Sequence, residues 1–155
     1  MRSGIGYDVH ALASGRELIL GGVRIEHDHG LAGHSDGDVL THAIIDALLG
    51  AAALGDIGQH FPATDPRWKD ANSLDLLHRT VELLHGASLS IINVDSTIVA
   101  SEPRLAPHIQ SMRRHLSEAL GIADTSVSVK ATTTDGLGIT GRREGIAALA
   151  IALLD

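Results

Sequence analysis

Hydrophobic and polar residues alternate over 1–9, which predicts a strand. Within "GIGYDVHAL" (4–12), Asp8 and His10 stand two apart, so a strand sets both side chains on one face. "ELILGGVRI" (17–25) divides into two short apolar runs about Gly21-Gly22, a hairpin signal. Residues 26–38 are a polar, glycine-containing loop. The period then changes: "DVLTHAIIDALLGAAALG" (38–55) predicts a helix, with Ser35 or Asp36 as N-cap and Gly55 as stop. Residues 56–72, with two prolines, form a loop long enough to suggest function. Ser73 caps a second helix running to Gly86. A strand follows at 88–100, a turn at 101–108, a third helix from Ile109 to Gly121 and a strand at 126–134. A glycine-rich loop (135–145) leads to the final strand "IAALAIALLD". This order predicts one α+β domain over 1–155: a mixed sheet of about four or five strands with helices on one face.

Composition narrows the function classes. Only Tyr7, Phe61 and Trp68 are aromatic, so the core is built of Ala, Leu, Ile and Val. The net charge of −7 and the scarcity of aromatics argue against a nucleic-acid partner. There is no cysteine, which excludes thiolate metal sites and disulfides. The start carries no signal-peptide pattern, and "AIIDALLGAAALG" is too short and too interrupted by Asp46 to span a bilayer. A cytoplasmic protein with no membrane partner is the expectation. The Ala-rich tail is a candidate for packing against copies of the chain.

Three constellations carry chemistry. Asp8, His10 and His42 place two ligands on a strand and one on a helix, and two His with one carboxylate leave a fourth metal position open, as in catalytic zinc sites. The alternative is an ordinary Asp8–His10 surface pair. Asp38, His42 and Asp46 follow one helix face, so either aspartate is a candidate acceptor for the other nitrogen of His42. "HDH" (27–29) is a weaker metal pair without a third ligand nearby, and His34-Ser35-Asp36 imitates a triad in letters only. "KATTTDGLGITGRREG" (130–145) fits G-x-G-x-x-G formally, but too little chain follows for a dinucleotide fold. Its Thr hydroxyls, glycine amides and Arg142 or Arg143 suit a phosphate cradle, with a divalent cation offsetting Asp135. "GDIGQHFPATD" (55–65) can hold a polyol through Asp56 and Asp65, or is a plain surface loop.

Taken together, "GYDVHAL", "HSDGDVLTHAIIDALLGAAALGDIGQHFPATDP" and "KATTTDGLGITGRREGIA" resemble the 2-C-methyl-D-erythritol 2,4-cyclodiphosphate synthases of the non-mevalonate isoprenoid pathway, from residue 1 to the C-terminus. That family converts 4-diphosphocytidyl-2-C-methyl-D-erythritol 2-phosphate into the cyclic diphosphate and CMP. The resemblance implies zinc on Asp8, His10 and His42, and a second ion, magnesium or manganese, near Asp135. It implies that His34 and Thr133 stabilise the transition state. It places the methylerythritol phosphate end against His34, Ser35, Asp56, Ile57, Gly58, Phe61, Pro62, Ala63, Thr64 and Asp65. Cytidine falls to Ala100, Ser101, Glu102, Pro103, Arg104, Leu105 and Ala106, and the diphosphate to Thr132, Thr133, Thr134, Asp135 and Arg142. It also implies a homotrimer with active sites between subunits and an axial channel. Asp135, Ile139 and Arg143 depart from the Glu, Phe and Gly that are frequent in the family. Two rival readings are a zinc phosphohydrolase, with Asp56 as base, and a non-catalytic sensor of isoprenoid diphosphates.

Overall fold

The computed structural model describes residues 1–155. Strand β1 (Arg2–Ser14) is followed by a hairpin, β2 (Leu18–Leu20) and β3 (Val23–Ile25), and a short strand β4 (His29–Leu31). Helix α1 (Val39–Ala52), the one-turn α2 (Ile57–His60) and α3 (Ser73–Gly86) come next. β5 (Ile91–Val99), α4 (Ile109–Leu120), β6 (Val127–Thr132), the one-turn α5 (Gly138–Gly141) and β7 (Gly145–Leu154) complete the chain. The main sheet has five strands in the order β4-β1-β7-β5-β6, and β2-β3 form a separate hairpin. Only β5 and β6 pair in parallel, and α4 supplies the crossover that a parallel pair requires. The predicted α+β architecture is the observed one.

Small residues position the site. Gly4, Gly6, Asp8 and His10 share one face of β1 by strand alternation. A Cβ on Gly4 would collide with the carbonyl of Ala47, and one on Gly6 with that of Ala43. Helix α1 therefore lies directly on the β1 backbone, antiparallel to it, and its N-terminal turn reaches Asp8 and His10. On β7 the alanines Ala148, Ala150 and Ala152 are buried on this face, beside α1. The opposite face of the sheet is bare: Ile5 is 70% and Ile151 53% exposed, with Tyr7, Val9 and Leu149 beside them. The alanines of the tail thus serve the core of one chain, and Leu149 and Ile151 are its outward apolar residues.

The helix starts differ from the sequence reading. The N-cap of α1 is Asp38, not Ser35 or Asp36, because the chain still turns at Gly37 (φ 76°) before the helix begins. Asp38 is fully buried and accepts from the N–H groups of Gly21, Gly22 and Thr41 and from the Thr41 hydroxyl. Helix α1 ends at Ala53, in the left-handed region (φ 58°), rather than at Gly55. Asn72, not Ser73, caps α3. The loop read over 26–38 contains β4, and the loop over 56–72 contains α2 and a 3-10 turn at Pro66–Trp68.

Asp38→Ala leaves four donors without an acceptor at the joint between the hairpin and α1. The expected loss is about 3 kcal/mol, read as a lowered midpoint of chemical denaturation. An unchanged midpoint would contradict this role.

Candidate active site

The β1 face and the first turn of α1 bring three ligands together. Asp8 Oδ2 lies 2.9 Å from His10 Nε2 and 3.1 Å from His42 Nδ1, and the two nitrogens are 3.2 Å apart. All three ligand atoms lie within 4.8 Å of one another. Three donors on a tetrahedral ion with zinc-like bond lengths form a triangle with edges of roughly 3.3 Å. The cluster is within a few tenths of an ångström of that triangle, so the residues fit a metal.

The outer nitrogens of both rings are held. His10 Nδ1 donates to the carbonyl of Ala32, which leaves Nε2 free to ligate. His42 Nε2 lies 2.9 Å from Ser73 Oγ and 3.1 Å from Ser35 Oγ. Ser73 Oγ in turn donates to Asp36, which also accepts the Ser73 N–H at 2.9 Å. A relay from His42 through Ser73 to the Asp36 carboxylate thus orients the ring with Nδ1 towards Asp8 and His10. The expected acceptors, Asp38 and Asp46, do not serve His42. Asp38 is turned back onto the helix cap and the hairpin, and Asp46 accepts the Ile57 N–H at 2.7 Å, fixing the start of α2.

The electrostatics follow from these contacts. Burial pushes the Asp8 carboxyl up, but the hydrogen bonds and charges of His10 and His42 outweigh it and hold Asp8 well below the usual carboxylate range. Burial lowers the His10 pKa, whereas the hydrogen bond and charge of Asp8 and the Ala32 carbonyl raise it, for a net rise. Burial raises Asp38, reinforced by Asp36, and burial raises Asp46.

The predicted residues separate into two clefts. The first, of about 240 Å³, is lined by Asp8, His10, His34, Ser35, His42, Ile57, Gly58, Phe61 and Ala63, joined by Trp68 and Leu76. The second, of about 300 Å³, is lined by Ala100, Ser101, Pro103, Arg104, Leu105, Ala106, Thr132 and Thr133, joined by Ala131. No residue lines both. A larger groove of about 600 Å³ lies on the other side of Phe61 and Trp68 and contains none of the three ligands.

Other predicted residues line neither cleft. Asp56 caps α2 and holds Gln59 with both oxygens. The Asp65 side chain pairs with Arg67 at 2.6 Å, while its carbonyl accepts from His34 Nε2 at 3.2 Å. Asp135, in the left-handed region (φ 52°), accepts from the Thr133 hydroxyl at 3.1 Å. Thr134 Oγ1 donates to the Leu137 carbonyl at 2.5 Å, and Arg142 pairs with Glu144 at 2.7 Å. Ile139 is 43% exposed, Pro62 is half-buried and Thr64 is exposed. Glu102 pairs with Arg143 at 3.2 Å, and its other oxygen is 3.9 Å from His27 of the "HDH" loop.

The sequence reading missed Ser73 and Asp36 as orienting groups and Trp68 as a wall. Trp68 meets Phe61 edge-to-face at 5.2 Å, with Arg67 and Arg79 over its ring at 5.5 and 5.4 Å. Its being one of three aromatics was the available signal.

Residues 1–155 match the sequence profile of the YgbB family. The chain belongs to the YgbB family. It is 61% identical over 155 residues to the 2-C-methyl-D-erythritol 2,4-cyclodiphosphate synthase of Syntrophomonas wolfei, covering 100% of this chain and 99% of that relative. Among solved structures, the bifunctional IspDF of Campylobacter jejuni superposes with a TM-score of 0.95 at 42% identity. That match covers 99% of this YgbB chain but only 42% of the bifunctional protein. A 2C-methyl-D-erythritol-2,4-cyclodiphosphate synthase solved in a CDP-bound form superposes with a TM-score of 0.91 at 35% identity, covering 99% and 100% of the two chains. No helix of this YgbB protein is long and apolar enough to cross a membrane.

Proposed function

We propose that this chain is a metal-dependent cyclodiphosphate synthase acting in the cytoplasm. It converts 4-diphosphocytidyl-2-C-methyl-D-erythritol 2-phosphate into 2-C-methyl-D-erythritol 2,4-cyclodiphosphate and CMP. The observation that carries this reading is the Asp8–His10–His42 cluster, set in a cleft of a YgbB-family chain whose relatives bear that enzyme's name. In the reaction an oxygen of the 2-phosphate bonds to the β-phosphorus. The bond from that phosphorus to the α–β bridging oxygen breaks, and CMP leaves with the electron pair. Both partners are anionic, so the barrier is repulsion plus ring closure, and no protein nucleophile is required.

The donor set of two imidazoles and one carboxylate suits zinc. Asp8, His10 and His42 would hold the zinc, and Asp135 would offer a carboxylate to a second ion, magnesium or manganese; when bound, these ions would neutralise charge on the diphosphate. The protein does the rest. Ser73 and Ala32 fix the two imidazoles. His34, held through Nε2 by the Asp65 carbonyl, and the exposed hydroxyl of Thr133 face the reacting phosphates and stabilise charge in the transition state. Ser35, Asp56, Ile57, Gly58 and the Phe61–Asp65 segment receive the methylerythritol end. Main-chain groups along Ala100–Ala106 receive cytidine, and Thr132, Thr133 and Thr134 receive the diphosphate. Arg142 joins them by exchanging its Glu144 partner for a phosphate. Asp56 has both oxygens engaged by Gln59, which disfavours it as the base of a hydrolase.

We infer that a second copy completes the site: the triad and the Ala100–Ala106 wall lie in two clefts with no residue in common, and the bare apolar face of β1 and β7 offers a surface for the partner. We assign a homotrimer with the active site between subunits and Ile139 beside the axial channel. Coexpressed Asp8→Ala and Thr133→Ala chains test this. Each variant alone is expected to be inactive, and mixed trimers regain turnover because one interface keeps both intact halves. No recovery in isolated mixed trimers would contradict the shared site. The activity itself is tested by CMP release that stops with a chelator and returns with zinc.

Metal uptake has a signed pH dependence. A ligand imidazole must be neutral, and the folded-state pKa of His10 lies above 6.5. Zinc affinity is therefore expected to be flat above that raised value and to fall by about tenfold per pH unit below it. Asp8, held low, does not titrate in this range. In the metal-free chain the sign reverses. The stability contributed by protonated His10 is fully present below 6.5 and is lost as pH rises through the raised value. Calorimetric titration with zinc and melting of the metal-free chain, each across pH, check both halves.

A further inference from the structure

We propose that Arg143 is a positioning residue for the second cleft, acting through Glu102. The proposal rests on reading that cleft as the nucleotide site. Arg143 sits in the left-handed region (φ 60°), a conformation that favours glycine and that a long side chain adopts only against a steric cost. The neighbouring guanidinium of Arg142 goes to Glu144, whereas Arg143 Nη1 reaches Glu102 Oε2 at 3.2 Å. Glu102 belongs to the segment that supplies Ala100, Ser101, Pro103, Arg104 and Leu105 to the cleft wall. Ser101 Oγ also donates to the carbonyl of buried Thr140 at 2.7 Å. Two successive residues of that segment, Ser101 in the wall and Glu102 beside it, are thus tied to the turn around α5, one by a hydrogen bond and one by an ion pair.

The chemistry of the ligand gives the ion pair its purpose. A nucleoside diphosphate is anionic, and an unpaired carboxylate beside its site would repel it. Arg143 neutralises Glu102 and anchors it at the side of the cleft. The pair is exposed in the single chain, with side-chain exposures of 64% for Arg143 and 39% for Glu102, so its effect on ligand affinity is modest and its effect on stability is small. Arg143 touches no reacting group, and its loss acts on binding rather than on the chemical step.

The test uses the full chain and CDP as probe. Arg143→Gly removes the pair and relieves the left-handed backbone, so the fold and melting temperature are retained. The variant is expected to bind CDP about threefold more weakly by calorimetry and to raise KM to the same degree, with kcat unchanged. In the Glu102→Gln background the further change from Arg143→Gly disappears, because the partner is already gone. Arg143→Lys restores part of the affinity. Unchanged CDP affinity in Arg143→Gly overturns the proposal, as does an equal loss in the Glu102→Gln background. A fall in kcat together with a lowered melting temperature also overturns it, by marking a merely structural role. A wild-type chain that binds no CDP overturns the nucleotide reading itself. Wild-type binding with an indifferent variant overturns only the role of Arg143.

Discussion

His42→Ala is expected to lose divalent-metal binding and turnover while keeping the fold. The ligand cluster has three protein donors, and only His42 comes from the helix side. Removing it leaves Asp8 and His10 two residues apart on one strand, a pair too open to hold an ion tightly. Affinity should fall by more than the roughly 10- to 100-fold that loss of an outer-shell partner costs. The fold survives because the lost ring sits at a cleft and because α1 is held by a fully apolar core including Leu40, Ile44 and Leu48. Zinc should raise the melting temperature of the wild type and leave that of His42→Ala unchanged, since a ligand stabilises only the state it binds. Turnover by metal-free His42→Ala would contradict the mechanism.

Gly6→Ala should be the most damaging single methyl in the chain. Its Cβ would overlap the Ala43 carbonyl, a backbone atom that cannot move aside without lifting α1 from β1. The expected cost is roughly 3 kcal/mol. In a domain of this size that lowers the melting temperature by roughly 6–12 °C. The same displacement carries His42 away from Asp8 and His10, so zinc affinity should fall with stability. Gly86→Ala is the control. It lies at the end of α3, has ordinary backbone geometry and would meet nothing within 4 Å. It should match the wild type or gain up to about 1 kcal/mol. Equal behaviour of the two variants would refute the close seam between β1 and α1.

The metal ligands were legible because strand alternation puts Asp8 beside His10, and the helical period places His42 in the first turn of the next large element. Four strands of the main sheet, β1, β5, β6 and β7, were legible from the order of elements, with Gly121 marking the end of α4, whereas β4 lay in a stretch that read as a loop and the Gly21-Gly22 hairpin forms its own sheet. The orienting groups were not legible. Ser73 and Asp36 are 37 residues apart and meet only because α3 returns past the start of α1. Spacing made Asp38 and Asp46 attractive partners for His42, yet each carboxylate found backbone N–H groups closer by. Local hydrogen bonds at helix starts outcompeted a side chain one turn away. The separation into two clefts was also invisible in linear order, since it depends on which strand ends the two loops occupy.

The central claim is that the 2-phosphate attacks the β-phosphorus of the same molecule. Phosphorus NMR of the purified chain with the cytidine substrate, zinc and magnesium tests it most directly. The account predicts CMP together with two mutually coupled resonances of one cyclic diphosphate, growing in step. CMP accompanied by an open-chain phosphate product would show that water is the nucleophile and would contradict it.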